Sequence, residues 1–215
     1  MRLGVPIITD MYHLTSKNIY NQIIGTERII AMSHPFWRSK YNEGALRNIM
    51  EGIVRFDEIE KIMGSDRYIV GFLDPVPIKW ISSGLMKYVI GHVQNKSAGL
   101  FENSSGPVYS FHMEVDTKRL FVRNHYFTSP EYYKQHHGKD YWDLLIRKKT
   151  NVLQSKELKE GIAKYFNSSV TMYEYLKSNL NYEVPELWYA GDYLLKPFDG
   201  IKELSSKAVT TLRGE

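Results

Sequence analysis

The residues best suited to chemistry stand near the two ends of the chain. Toward the C-terminal end, Tyr182-Glu183-Val184-Pro185-Glu186-Leu187-Trp188-Tyr189-Ala190-Gly191-Asp192 reads as a short strand rich in aromatic and β-branched residues. Glu186 enters it and a Gly-Asp turn leaves it. A carboxylate there either sits in solvent at the strand mouth or faces a cleft where a carboxylate has a task. Toward the N-terminal end, Met11-Tyr12-His13-Leu14-Thr15-Ser16 puts His13 where a strand gives way to a helix, and side chains at such junctions border loops and clefts. A third stretch, residues 128–149, interleaves flat aromatics with cations: Tyr132, Lys134, Lys139, Trp142, Arg147, Lys148 and Lys149. That mixture suits a phosphate backbone with stacked bases. It equally describes a solvated basic helix face over a core-facing aromatic seam. The adjacent pair His136-His137 has no partnered carboxylate and reads as solvated, so no metal site is expected.

Several chemistries are excluded by what the chain lacks. It has no cysteine, which rules out thiol catalysis, disulfides and cysteine-ligated zinc. No Gly-rich phosphate loop, His-Glu-x-x-His or Gly-x-Ser-x-Gly occurs. The cysteine-free composition fits a reducing compartment, and a cytoplasmic protein is expected. The N-terminal segment is interrupted by Pro6 and Asp10 and does not read as a secretory signal. No apolar run approaches the ~20 residues of a membrane span, so no membrane partner is expected. The net charge of +4 is too small to imply nucleic acid by itself, and 16 tyrosines suit either a ligand-handling surface or a β-rich core.

The elements that would position these residues follow from periodicity. Residues 3–8 and 10–14 read as short strands. A helix follows with Thr15 or Ser16 as cap, Ile19, Ile23 and Ile24 on one face and Gly25 as its stop. A long amphipathic helix is expected over 42–63, a buried strand over 68–73, and a helix over 76–93 opened by Asp74-Pro75. Residues 108–116 alternate as a strand, continued by 120–122 after a turn. Helices are expected over 155–166 and 168–180, and the tail after Ser205 is expected to fray. At 215 residues one large domain is expected over two small ones. Its class is α+β, a mixed and mainly antiparallel sheet with flanking helices.

Taken together, the two end stretches resemble the ADP-ribosyltransferase superfamily over residues 11–204. There a strand ends in aromatic-His-x-Thr/Ser and feeds a helix, as Tyr12-His13-Leu14-Thr15 does, and a glutamate precedes a Gly-Asp turn in the final strand, as Glu186 does. The likeness is to the His-Tyr-Glu branch. The Arg-Ser-Glu branch carries Glu-x-Glu or Gln-x-Glu, whereas Glu183 and Glu186 are separated by two residues.

The resemblance implies an ADP-ribosyltransferase-like fold and an enzyme that takes NAD as substrate and moves ADP-ribose to a macromolecular acceptor. Nucleic acid, DNA or RNA, is the first expectation for that acceptor and protein the second. Glu186 would stabilise the positive charge that develops as the glycosidic bond breaks. His13 would bond the adenosine-side ribose, Leu14 would clamp the nicotinamide amide through its main chain, and Thr15 would add a polar contact or cap the helix. Tyr68 or Phe72 would stack on the nicotinamide. Two alternatives stay open: a catalytically silent nucleic-acid-binding domain, and a relative of the NAD-consuming RNA 2′-phosphotransferases.

Overall fold

The computed structural model describes residues 7–33, 50, 52–55, 58, 61, 64–65, 67–94, 106–138, 155–197 and 199–214. Most of the amphipathic pattern over 42–63 lies outside them, as do Lys139, Trp142, Arg147, Lys148 and Lys149. Within them the class is α+β, and every strand pairing is antiparallel. No helix of the described residues is long and apolar enough to cross a membrane.

Strand β1 (Ile8–Ser16) leads into helix α1 (Lys17–Thr26), followed by β2 (Arg28–Ile29), β3 (Met32–Ser33) and β4 (Arg67–Gly71). Helices α2 (Ile78–Ser82) and α3 (Met86–Gln94) precede β5 (Val108–Asp116) and β6 (Leu120–Asn124). A 3-10 turn (His125–Thr128), α4 (Pro130–His137), α5 (Lys156–Asn167), β7 (Val170–Thr171) and α6 (Met172–Lys177) lead to β8 (Pro185–Ala190). The chain closes with β9 (Tyr193–Leu194), β10 (Gly200–Glu203) and α7 (Ser206–Arg213).

The strands form a three-stranded sheet in the order β1-β5-β10, a five-stranded sheet in the order β3-β4-β8-β6-β7, and a β2-β9 pair. The two larger sheets are bridged through their backbones where Tyr12 and Phe72 exchange hydrogen bonds of 2.8 and 2.9 Å. Gly71 allows this contact, because a Cβ there would stand 2.6 Å from the Tyr12 carbonyl and 2.5 Å from Met11 Cε.

Alternation sorts the side chains. Leu187 and Tyr189 of β8 enter one core with Met11, Ile69, Phe111 and Met113. Trp188 and Ala190 enter a second with Tyr68, Phe121 and the Ile162, Tyr165 and Phe166 face of α5. A third core gathers Leu14, Phe72, Trp80, Leu85 and Ile90.

Several expectations change. Residues 8–16 form one strand. The helix after it runs through Gly25 to Thr26, and Glu27 takes the left-handed turn at φ 50°. The expected helix over 76–93 is two, broken at Gly84 with φ +75°. Residues 168–180 hold a short strand before a short helix. Strand β6 does not pair with β5. It crosses to the other sheet, between β8 and β7. The tail is a helix, capped where Ser205 Oγ accepts from Ala208 N and packed inward through Leu212.

Candidate functional site

Glu186 is 5% exposed, and its surroundings explain how a charge is kept there. On β8 it shares a face with Trp188, and its register partner on β6 is Arg123. Tyr165 Oη donates to Glu186 Oε2 at 2.5 Å and Trp188 Nε1 donates to the same oxygen at 2.7 Å. His125 Nδ1 lies 3.2 Å from it, close enough to act through charge although outside hydrogen-bond geometry. Burial pushes the Glu186 carboxyl up. The His125 imidazole and the donors around it outweigh that penalty and bring it down to about 2. All these contacts fall on Oε2, so Oε1 is the oxygen left to accept from a ligand.

Arg123 is also buried, its guanidinium 3.9 Å over the Trp188 ring and its Nε donating to Ser169 Oγ at 2.7 Å. Tyr165 is raised well above the usual phenol value by burial first and by the Glu186 charge second, so it stays a donor.

His125 leads from this carboxylate outward. Its side chain is 20% exposed, and the Trp80 ring lies 4.9 Å away. Trp80 Nε1 donates to Pro185 O at 2.7 Å, which fixes the indole against the strand that carries Glu186. The same indole meets Phe72 edge-on at 4.8 Å, and Phe72 packs in one core with Leu14. Glu186, Phe72 and Leu14 are therefore joined by a continuous set of rings.

His13 falls elsewhere. It alternates with Leu14 and shares the face of Met11, in the core that Leu187 enters, whereas Glu186 points with Trp188 to the other side of β8. The expectation that His13 and Glu186 border one pocket is corrected: the histidine beside Glu186 is His125. His13 Nδ1 instead donates to Val70 O at 2.8 Å. Burial lowers its pKa, opposed by that bond, so the imidazole is neutral at pH 7.

This bond bears on the junction between the sheets. Tyr12 faces Phe72, so an unbroken ladder would set Leu14 opposite Val70. Backbone groups two residues apart on a strand point along the same edge. Leu14 N–H and C=O therefore point with those of Tyr12 toward β4, but the Val70 carbonyl is taken by the His13 ring. Beyond Val70, the edge of β4 passes to β3, where Tyr68 pairs with Met32. The ladder therefore stops short of Leu14, whose main-chain N–H and C=O make no backbone hydrogen bond to β4.

The remaining expected residues divide. Thr15 is 5% exposed on the His13 face, opposite Tyr109. Ser16 is the helix N-cap but makes no side-chain capping bond. Of the two aromatics proposed to stack on nicotinamide, Phe72 lies with Leu14, while Tyr68 packs 4.8 Å from Trp188 in the neighbouring core. Tyr132 is corrected as a base-stacking platform. It is 3% exposed and enclosed by Tyr126, Phe127 and Tyr133, the core-facing seam rather than a surface. Lys134 is exposed on α4. Sequence reasoning missed His125, Tyr165, Trp80 and Arg123. Only Arg123 left a signal, a charge directly after the apolar run Leu120-Phe121-Val122.

The carboxylate and His13 set the acid stability of the fold. The unfolded Glu186 takes its proton near 4.5 and the folded one near 2, so its contribution is complete above pH 4.5 and is lost as pH falls toward 2. That loss is on the order of 3 kcal/mol. His13 adds an earlier decline, because the unfolded imidazole accepts a proton below about 6.5 that the folded one resists. Urea midpoints measured from pH 8 to pH 2.5 are expected to fall in these two stages. The second stage should be missing in Glu186→Gln; a midpoint in the unsubstituted protein that stays level from pH 4.5 to 2.5 contradicts the pinned carboxylate.

No family model matches the chain, and comparison with curated proteins and with solved structures likewise finds no match.

Proposed function

We propose that this protein transfers ADP-ribose from NAD to a macromolecular acceptor, on an ADP-ribosyltransferase-like fold. The observation that carries the reading is the break in the β1–β4 ladder at Leu14. A strand edge there presents one N–H and one C=O side by side, because His13 occupies the Val70 carbonyl that would otherwise close the ladder. A carboxamide has the complementary pair, a carbonyl and an NH₂. Nicotinamide clamped by Leu14 would lie against Phe72, with Trp80 and His125 leading to Glu186.

The chemistry follows from the carboxylate. Cleavage of the bond between ribose C1′ and the nicotinamide nitrogen leaves positive charge on the sugar, and the electron pair departs with neutral nicotinamide. An anion fixed through Oε2, with Oε1 turned to a ribose hydroxyl, stabilises that charge without reorganising during the step. His13 acts as a positioning residue that keeps the sheets apart.

The test uses binding rather than turnover. Calorimetric titration should show NAD binding, with nicotinic acid adenine dinucleotide at least tenfold weaker. Its carboxylate cannot donate to the Leu14 carbonyl and sets an anion against it. Equal affinity for the two dinucleotides, or no heat with either, overturns the reading.

A further inference from the structure

The face of the three-stranded sheet that carries Leu14 also forms the floor of a groove, roofed by α7. Its cavity is about 510 Å3, within the ~300–1,000 Å3 of small-ligand sites and of a size for one nucleotide unit. Side chains on this face follow the register in rows. Tyr12, His112 and Gly200 stand in one row, and Leu14, Ser110 and Lys202 in the next.

Tyr12 and His112 stack with centroids 5.1 Å apart and planes 19° from parallel, so Tyr12 covers one face of the imidazole. Asp10 Oδ1 holds His112 Nε2 at 2.8 Å, fixing the ring in plane. Gly200 faces His112 across the sheet and lays no side chain over it. Lys202 enters from β10 and Lys207 from α7. Both are exposed, neither is paired with a described acid, and no described residue lining the cavity is acidic.

An aromatic stack whose His112 end is left uncovered by Gly200, beside two unpaired ammonium groups, complements a base and its flanking phosphates. We infer that this groove binds a nucleotide of single-stranded nucleic acid. Its role as the site of the acceptor rests on the transfer reaction proposed above, because the Lys202 row begins at Leu14. The binding itself does not depend on that reaction. It also moves the nucleic-acid contact away from Tyr132, which is buried.

Fluorescence anisotropy of a labelled twelve-nucleotide single strand, titrated with the full chain without NAD, tests the inference. The double reversal Lys202→Glu with Lys207→Glu should weaken binding at least tenfold. It should also flatten the slope of log affinity against log salt by about 1.4, since each phosphate no longer neutralised removes ~0.7. Gly200→Leu changes no charge and should weaken binding at least fivefold by covering the His112 ring. Reversal of Lys118 and Lys177, exposed elsewhere, is the control and should cost less than twofold.

Melting temperatures within a few degrees of the unsubstituted protein establish that each variant is folded. An equal loss in the control, no effect of Gly200→Leu, or a loss confined to NAD affinity overturns the proposal. In the last case the groove belongs to the dinucleotide. Oligonucleotide binding that behaves as expected in a protein that fails to bind NAD sustains the groove and removes the transferase reading.

Discussion

Glu186→Gln is expected to reduce nicotinamide release from NAD by 10²–10³-fold while leaving a folded protein that still binds NAD within a few-fold. The substitution is close to isosteric. The glutamine carbonyl can take the place of Oε2, accepting from Tyr165 Oη and Trp188 Nε1, so the buried donors keep their acceptor. What disappears is the negative charge and the second acceptor. The amide NH₂ then stands where Oε1 should receive a ribose hydroxyl. Removing one preorganised electrostatic group of this kind typically costs about 3–4 kcal/mol of transition-state stabilisation. The loss should fall on kcat more than on KM, because the sugar is charged only in the transition state. Tyr165→Phe provides a graded comparison. It removes one of the bonds that orient the carboxylate but keeps the charge, so a loss of about tenfold is expected. Release from Glu186→Gln within threefold of the unsubstituted rate would remove Glu186 from the chemistry and return it to a structural role in the α5–β8 core.

Part of this arrangement was legible in the chain itself, and the limit is physical. Alternation in residues 108–116 and the aromatic run at 185–190 place strands where β5 and β8 are found, because both faces of those strands are decided locally. The Gly-Asp turn also reads correctly. Gly191 takes φ +81°, and Asp192 Oδ1 accepts from Ala31 N at 2.8 Å. Which strand pairs with which is not local. Residues 108–116 and 120–124 look like one hairpin in sequence, yet a turn at Asp116-Thr117 sends them to different sheets. The face to which His13 points depends in turn on where β1 meets β4, a meeting of segments far apart in the chain. His125 is invisible for the same reason, since its meaning comes from Glu186, on a strand much later in the sequence. The basic-aromatic pattern near Tyr132 misleads because a helix that buries tyrosines on one side and shows lysines on the other has the same composition as a nucleic-acid surface.

Gly71→Ala should be strongly destabilising for a single added methyl, and it separates the junction from everything built on it. The added Cβ would lie 2.5 Å from Met11 Cε and 2.6 Å from the Tyr12 carbonyl oxygen. Met11 is fully buried against Ile69 and Leu187, so its side chain has no open space to enter. The Tyr12 oxygen is backbone and accepts from Phe72 N at 2.9 Å. Relief requires β1 to move off β4, which breaks the backbone pair between Tyr12 and Phe72. Overpacking of this kind costs about 1–3 kcal/mol, and the broken backbone pair adds to it. Gly200→Ala is the matched control. Its Cβ meets His112 Cβ at 3.5 Å, an ordinary contact, and stability should be unchanged. Chemical denaturation at pH 7 should therefore show a lower midpoint for Gly71→Ala alone. The same displacement carries Leu14 away from Phe72, so NAD affinity should fall at least tenfold at a temperature where the variant is still folded. Unchanged stability would mean that the sheets do not meet at Tyr12 and Phe72. Reduced stability with full NAD affinity would keep the junction and move the dinucleotide elsewhere.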